Sequence, residues 1–263
     1  MRKLVLSYSQ LLVAALLVWL PFGAMANEQK VVLVSGFDDV LRQAHNTNIF
    51  SAGLKLMDKD QSYAGMPELY RRMMASGGTG QFYIVSALTN WLEPRVEKLL
   101  KDHQYPPRSI SMRDWVTEWS ISKFKIHHIE EIMRVNPDSQ LIVILDNSTA
   151  SVELADLLKA MHPGKIAEIY LRQTVEGKTS PHAKSFVTAF DIAFREFVSG
   201  RLSEDDLVAV GRSLLSDKKM ENWIPSYSYC PKNYDPCAGF SLGARGVCEE
   251  VKKKVSGFCQ SRK

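Results

Sequence analysis

The sequence has few cysteines, little net charge and no apolar run long enough to span a membrane. None of its four cysteines belongs to a Cys-x-x-Cys pair. This absence argues against a redox enzyme and disfavours a zinc site, which stays open as a minor alternative. The balance of 33 basic to 29 acidic residues is too mild to indicate a nucleic acid partner. No internal repeat or low-complexity tract is present.

The first 26 residues have the pattern of a signal peptide. Arg2 and Lys3 precede an apolar run at 11–22, and a small-x-small cleavage site follows at 24–26. The run is shorter than the roughly 20 residues that a membrane span needs, so an uncleaved anchor is the minor alternative. No cysteine follows the cleavage site, which argues against a lipid anchor. We therefore expect cleavage near Ala26 and a mature protein that is periplasmic or secreted.

The cysteines agree with export, because an oxidising compartment favours disulfides over free thiols. Four cysteines predict two disulfides, and three connectivities are open. All four lie near the end of the chain: Cys230, Cys237, Cys248 and Cys259.

Short apolar runs alternate with segments of helical periodicity after the signal peptide. Strands are predicted at 31–35, 82–86, 109–112, 141–145 and 166–171. Helices are predicted at 68–75, 92–102, 123–135 and 152–161. This alternation predicts an α/β fold, a parallel sheet with helices on both faces. Sites in such sheets form at the carboxyl ends of the strands, which is where Asp38, Ser86 and Asp146 fall.

The pattern changes after residue 178, so we divide the mature chain into a domain at 27–178 and an extension at 179–263. The extension is predicted to contain helices at 180–198 and 202–215, the second with Ser203 as its N-cap. Four phenylalanines at a spacing of mostly four residues indicate core packing by the first helix: Phe186, Phe190, Phe194 and Phe197. The remainder is predicted to be a disulfide-stapled tail. Its basic residues indicate a solvated surface, with peripheral contact to a membrane surface left open.

Five segments resemble, in order, the catalytic domain of the actin-patch-protein type of phosphatidate phosphatase, of the haloacid dehalogenase-like superfamily. They are VSGFDDVL at 34–41, GMPELY at 65–70, FYIVS at 82–86, MRDW at 112–115 and IYLR at 169–172. The resemblance covers about 31–175 and none of the tail. It implies a three-layer Rossmann-like domain with a small cap or none, Mg²⁺-dependent phosphatase chemistry, and a phospholipid or phosphorylated small molecule as ligand.

The resemblance also implies roles for individual residues. Asp38 matches the general acid/base, and Ser86 matches the phosphate-binding serine. Lys125 is the best match for the lysine that holds the phosphoryl charge, with Lys123 as the fallback. Asp146 matches an acid that binds Mg²⁺, together with Asp38.

Two positions depart from the pattern of this family. Gly36 stands where the nucleophilic aspartate belongs, and Ser151 replaces a second acid. Glycine has no carboxylate to accept a phosphoryl group, and Mg²⁺ usually needs one or two carboxylates, so we predict an impaired active site. Asp39 is not an obvious substitute, since successive strand residues point to opposite faces. A carboxylate arriving from Asp39, Asp114 or Glu153 remains the alternative.

Two functions therefore stay open. The first is an exported phosphatidate-phosphatase-like hydrolase with altered machinery. The second is a non-catalytic envelope protein that binds a phosphorylated ligand, a lipid or a protein partner through Ser86, Lys125 and Arg172.

The tryptophans of the predicted domain have a structural interpretation at this point. We predict that Trp91, Trp115 and Trp119 are packing residues rather than ligand contacts.

Overall fold

The computed structural model describes residues 30–44, 61–76, 79–238 and 245–262. The predicted signal peptide lies outside these residues, as does much of the segment between the first two predicted strands, where a small cap would be inserted. Within the described parts of the chain, no helix is both long enough and apolar enough to cross a membrane.

A parallel sheet of six strands occupies the centre of the described chain. The strands are β1 (Val31–Ser35), β2 (Thr79–Thr89), β3 (Ser109–Arg113), β4 (Gln140–Asp146), β5 (Ile166–Arg172) and β6 (Lys184–Phe186). Their order is β3-β2-β1-β4-β5-β6, and every neighbouring pair is parallel. The order reverses between β1 and β4, which opens a crevice at the carboxyl edge of the sheet. The predicted α/β fold is confirmed.

Helices cover both faces of this sheet. They are α1 (Met66–Ala75), α2 (Glu93–Asp102), α3 (Ile121–Val135), α4 (Thr149–Met161), α5 (Ala189–Val198), α6 (Glu204–Ser216), α7 (Met220–Trp223) and α8 (Arg245–Ser261). Side chains alternate along β1, so Val31 and Leu33 pack with α1, α2 and the C-terminal helices, whereas Val32 and Val34 pack with α3 and α4. Burial on both faces explains why β1 is apolar at nearly every position.

The predicted helix at 180–198 is wrong in its first half. Residues 184–186 form β6, which pairs with β5, and α5 begins only at Ala189. A capping box fixes this start, because the carboxylate of Asp191 accepts from the backbone N–H of Thr188 at 2.7 Å. Phe186 is therefore a buried strand residue, while Phe190 and Phe194 are buried on α5. The predicted core role of these three side chains is confirmed.

The second predicted helix of the extension agrees with the structure. Ser203 is the N-cap of α6, and its hydroxyl accepts from Asp206 N at 3.2 Å. The carboxylate of Asp206 accepts in turn from Ser203 N at 3.1 Å, which completes a capping box.

The tail is more regular than the sequence indicated, since α8 was not predicted. Two disulfides staple it, Cys230–Cys259 and Cys237–Cys248, which confirms the number of bridges and resolves their connectivity. Val251 and Val255 of α8 are buried in the same core as α5 and α6. The chain after residue 178 thus adds a strand to the sheet and a helical layer to one face.

The prediction that Trp91, Trp115 and Trp119 are packing residues is wrong, because all three side chains are exposed. Trp91 is 68% exposed, Trp115 47% and Trp119 85%. Trp223 of α7, by contrast, is buried.

Candidate active site

A compact turn follows β1 at the carboxyl edge of the sheet. Gly36 N donates to Ile144 O at 2.8 Å, which extends the pairing with β4 by one residue. Leu41 N and Arg42 N then both donate to Phe37 O, at 2.9 Å and 3.1 Å. These bonds hold residues 36–42, the acid turn, where the family pattern places its nucleophile and its acid/base.

Asp38 is paired with a buried arginine inside the acid turn. Arg42 donates to Asp38 Oδ1 from Nε at 2.9 Å and from Nη2 at 2.6 Å. The Arg42 side chain is 1% exposed and that of Asp38 is 14% exposed, so the charge of the predicted acid/base is compensated within the protein. Sequence reasoning missed Arg42, and its only signal was a position four residues after Asp38.

Asp39 is directed into the protein by its backbone conformation. The strand has ended at Ser35, so the strand-pleat argument about Asp39 does not apply. Asp39 has φ 55°, in the left-handed region that aspartate tolerates better than most residues. It is 4% exposed, and its Oδ1 accepts from Tyr227 Oη at 2.7 Å and from Ala44 N at 3.0 Å. Asp39 therefore anchors the acid turn.

Arg172, at the end of β5, supports the acid turn by a hydrogen bond to its backbone. It is 2% exposed, and it donates to Val40 O at 3.2 Å and to Val187 O at 2.8 Å. Its guanidinium carbon lies 3.8 Å from the centroid of the Tyr63 ring. Burial lowers the pKa of Arg172. Arg172 was predicted to help bind a phosphorylated ligand, but its side chain is buried and donates to backbone carbonyls.

Ser86 lies within β2 rather than at its end, because the strand continues to Thr89. It is buried, and its Oγ accepts from Leu88 N at 3.2 Å. The pairing of Ser35 with Ile84 puts Ser86 two residues beyond the end of β1, level with the acid turn.

Lys125 lies near the start of α3, the helix that follows β3 and therefore begins at the carboxyl edge. It is half-buried. Its ammonium group makes no hydrogen bond or ion pair within the described residues.

Asp146 is the last residue of β4, and it caps the turn into α4. Its Oδ1 accepts from Ser148 Oγ at 2.8 Å and from Ser148 N at 3.3 Å. Ser148 Oγ also lies 3.1 Å from Ser151 Oγ. Ser151 is fully buried, so the position at which the sequence comparison predicted a missing second acid carries a neutral side chain.

The alternative carboxylates are engaged or exposed elsewhere. Asp114 Oδ1 accepts from Val116 N at 2.8 Å in the loop after β3. Glu153 is exposed on α4.

The donors at this edge do not fit a complete Mg²⁺ site. Gly36 offers only its carbonyl oxygen, which accepts from Ser35 Oγ at 2.6 Å. Asp38 Oδ1 is bound by a cation, which leaves Asp146 as the main carboxylate. Within the described chain, no three His, Cys, Asp or Glu side chains are grouped in a way that could hold a metal. Mg²⁺ sites usually combine one or two carboxylates with waters and substrate phosphate, so this set falls short of that pattern.

The strand order, with its reversal beside the acid turn, defines a doubly wound, Rossmann-like α/β protein with its candidate site at the carboxyl edge of the sheet. The family model for phosphatidate phosphatase APP1, catalytic domain, matches residues 31–173, which is over half of the chain. The chain therefore belongs to this family. The match begins with β1 and ends one residue after β5, so it includes the acid turn, whereas both disulfides lie outside it. Comparison with curated proteins gives no match.

Proposed function

We propose that the protein is an exported phosphatidate-phosphatase-like protein whose hydrolytic machinery is impaired. The observation that carries this proposal is the acid turn. Gly36 stands at the nucleophile position, and the neighbouring Asp38 is bound by Arg42 at 2.6 Å.

The chemistry of the family explains the impairment. Phosphoryl transfer to an enzyme carboxylate needs an oxygen nucleophile in line with the leaving group, and Gly36 has none. The remaining route is direct attack by water, with Asp38 as the base. The two Arg42 donors already stabilise the Asp38 carboxylate, which weakens it as a proton acceptor. This route is therefore expected to be slow.

Export is proposed on two grounds. The N-terminal residues have the signal-peptide pattern with cleavage near Ala26, and the two disulfides are consistent with an oxidising compartment. The test is the N-terminal sequence of the protein recovered from a periplasmic extract. A start at Asn27 is expected, and a start at Met1 would contradict the proposal.

Weak Mg²⁺ binding through Asp146, with help from Asp38, is part of the same proposal. Gly36→Asp should raise the affinity. A Cβ at Gly36 would lie 3.3 Å from Val40 Cγ2 and 3.7 Å from Leu145 Cδ2, so the Cβ of the new side chain requires the Val40 side chain to shift by only a few tenths of an ångström. Calorimetric titration with MgCl₂ measures this. Equal affinities for the wild type and the variant would count against the proposal.

The direct test of impairment is phosphate release from phosphatidate and from an aryl phosphate. The mature protein is assayed with and without Mg²⁺, beside Asp38→Asn. Both proteins are expected to remain at the background rate. Mg²⁺-dependent release by the wild type that Asp38→Asn abolishes would show a working phosphatase with a different nucleophile.

Binding without turnover is the second candidate, and Lys125 favours it. Lys125 is a half-buried residue whose ammonium group has no hydrogen bond or ion pair within the described chain, so it is available to an anion. Titration with inorganic phosphate and with a short-chain, soluble phosphatidate tests this role. Lys125→Ala should weaken binding, whereas Lys123→Ala, exposed on the same helix, is the matched control. Equal losses in both variants would reject a specific role for Lys125.

A further inference from the structure

Two turns that leave the carboxyl edge of the sheet carry exposed apolar side chains. Trp91 lies in the turn after β2, and Trp115, Val116 and Trp119 lie in the loop after β3. We name these four residues the aromatic rim. Each is between 47% and 85% exposed.

The sheet brings the two turns of the aromatic rim together. Thr89 of β2 and Arg113 of β3 are paired in the register. Trp91 and Trp115 each follow their strand by two residues. Neighbouring strands are about 4.8 Å apart, and the turn at Asn90–Leu92 contacts β3. The register therefore places the two turns of the rim side by side at one edge of the sheet.

The loop that carries most of the rim is held by its own hydrogen bonds. Asp114 N donates to Glu118 Oε2 at 2.9 Å, and Glu118 N donates to Asp114 O at 2.8 Å. The Arg113 guanidinium carbon lies 4.9 Å from the centroid of the Trp115 ring. Both acids of the loop are thereby bonded to backbone N–H groups, since Asp114 Oδ1 also accepts from Val116 N. The loop presents its tryptophans from an ordered backbone.

This exposure is unusual for the residue type. The chain after residue 26 has four tryptophans, and the only one outside the rim, Trp223, is buried. Contiguous apolar surface of this kind marks an interaction site in soluble proteins.

Charged residues of both signs lie beside the rim. Arg95 follows Trp91 at the start of α2, and Lys123 follows Trp119 at the start of α3, and both are exposed. Glu93 and Glu97 are exposed acids on α2, and the rim loop itself carries the half-buried Asp114 and Glu118, so the basic residues do not give the rim a net positive charge. Tryptophan prefers the headgroup region of a bilayer, where its ring is buried and its N–H stays wet.

The rim shares the carboxyl edge of the sheet with the acid turn, because β2 lies between β3 and β1. We propose that the aromatic rim inserts into the headgroup region of a phospholipid bilayer and holds this edge against the membrane. The inference rests on the proposed function, since it brings a lipid phosphate to the site while the acyl chains stay in the bilayer.

The test uses the mature protein and vesicles of phosphatidylcholine and phosphatidylglycerol without phosphatidate. Co-sedimentation gives the partition coefficient, and quenching of tryptophan fluorescence by brominated lipid reports insertion. The triple variant Trp91→Ala/Trp115→Ala/Trp119→Ala should lower the partition coefficient by about tenfold or more, because three apolar anchors are lost. The matched control is Met161→Ala. Met161 is exposed at the end of α4, at the opposite edge of the sheet, and this variant should bind as the wild type does.

Two results would overturn the inference. The first is a wild type that does not sediment with the vesicles, which would point to a protein partner. The second is a triple variant that binds them as well as the wild type. A thermal melt of each variant checks folding, and the exposed positions of the rim predict unchanged melting.

A second binding measurement distinguishes failure of the membrane proposal from failure of the proposed function. Binding of short-chain, soluble phosphatidate is measured on the same proteins and should be equal in the wild type and the triple variant. Vesicle binding without phosphatidate binding would support the rim and reject the lipid-phosphate site. Phosphatidate binding without vesicle binding would reject the rim alone.

Discussion

Tyr227 ties the C-terminal part of the chain to the acid turn, and its hydroxyl offers a measurable perturbation. Burial raises the pKa of Tyr227, an effect increased by the neighbouring Tyr63 and Asp39, so the hydroxyl keeps its proton at neutral pH. It donates to Asp39 Oδ1 at 2.7 Å. Tyr227→Phe removes this donor from a carboxylate that is almost fully buried.

The size of the effect follows from the charge of the acceptor. A hydrogen bond to a charged group contributes about 1.5–3 kcal/mol, so the free energy of unfolding should fall by that amount. For a chain of this length, each kcal/mol lowers the melting temperature by about 2–4 °C. Urea denaturation of the oxidised protein at pH 7 is the assay.

Tyr229→Phe is the matched control for this variant. Tyr229 is half-buried two residues further along, and its hydroxyl makes no hydrogen bond within the described chain. Its loss should change stability by less than about 0.5 kcal/mol. If the two variants unfold at the same urea concentration, the Tyr227 hydroxyl does not support the acid turn and the reasoning is refuted.

Two further predictions concern packing and pH. Gly211→Ala should destabilise the protein by about 1–3 kcal/mol, because the added Cβ would overlap a Val247 methyl group. Gly257→Ala, in open space on α8, should stabilise it by about 0.5–1 kcal/mol. If both variants shift the urea midpoint of the wild type in the same direction, the two predictions are contradicted. Burial opposes ionisation of Glu68, but hydrogen bonds from two neighbouring arginines outweigh it and lower its pKa below 4.5. Its ionised form therefore stabilises the fold above pH 4.5, and this contribution is lost as the pH falls through the lowered value. The free energy of unfolding should therefore fall less steeply in Glu68→Gln than in the wild type between pH 5 and pH 3. If the denaturant midpoints of the two proteins fall equally over this range, Glu68 does not contribute to the pH dependence of stability.

The sheet could be predicted from the sequence because its central strands are buried on both faces. Such strands leave continuous apolar runs, as at β1 and β4, and the parallel topology then places Asp38 and Asp146 at one edge. The error at β6 has a physical origin. Phe186 and Phe190 are four residues apart, and a strand of three residues followed by a capped helix gives the same spacing as one helix.

The pairing within the acid turn could not be predicted. The contact between Asp38 and Arg42 depends on a turn that closes between residues 37 and 42, with Asp39 in a left-handed conformation. No hydrophobic period encodes that geometry. The packing role predicted for the rim tryptophans was wrong for a different reason. Hydrophobicity favours packing in general, and it does not distinguish a residue in a core from one on an exposed loop.

The central claim is that catalysis is impaired because Gly36 lacks a carboxylate. Phosphate release from phosphatidate with Mg²⁺, by the mature wild type and by Gly36→Asp at equal concentration, tests it most directly. We predict a background rate for the wild type and a Mg²⁺-dependent rate at least about tenfold higher for Gly36→Asp, since the variant regains a nucleophile. A wild-type rate that equals or exceeds that of Gly36→Asp would contradict the claim.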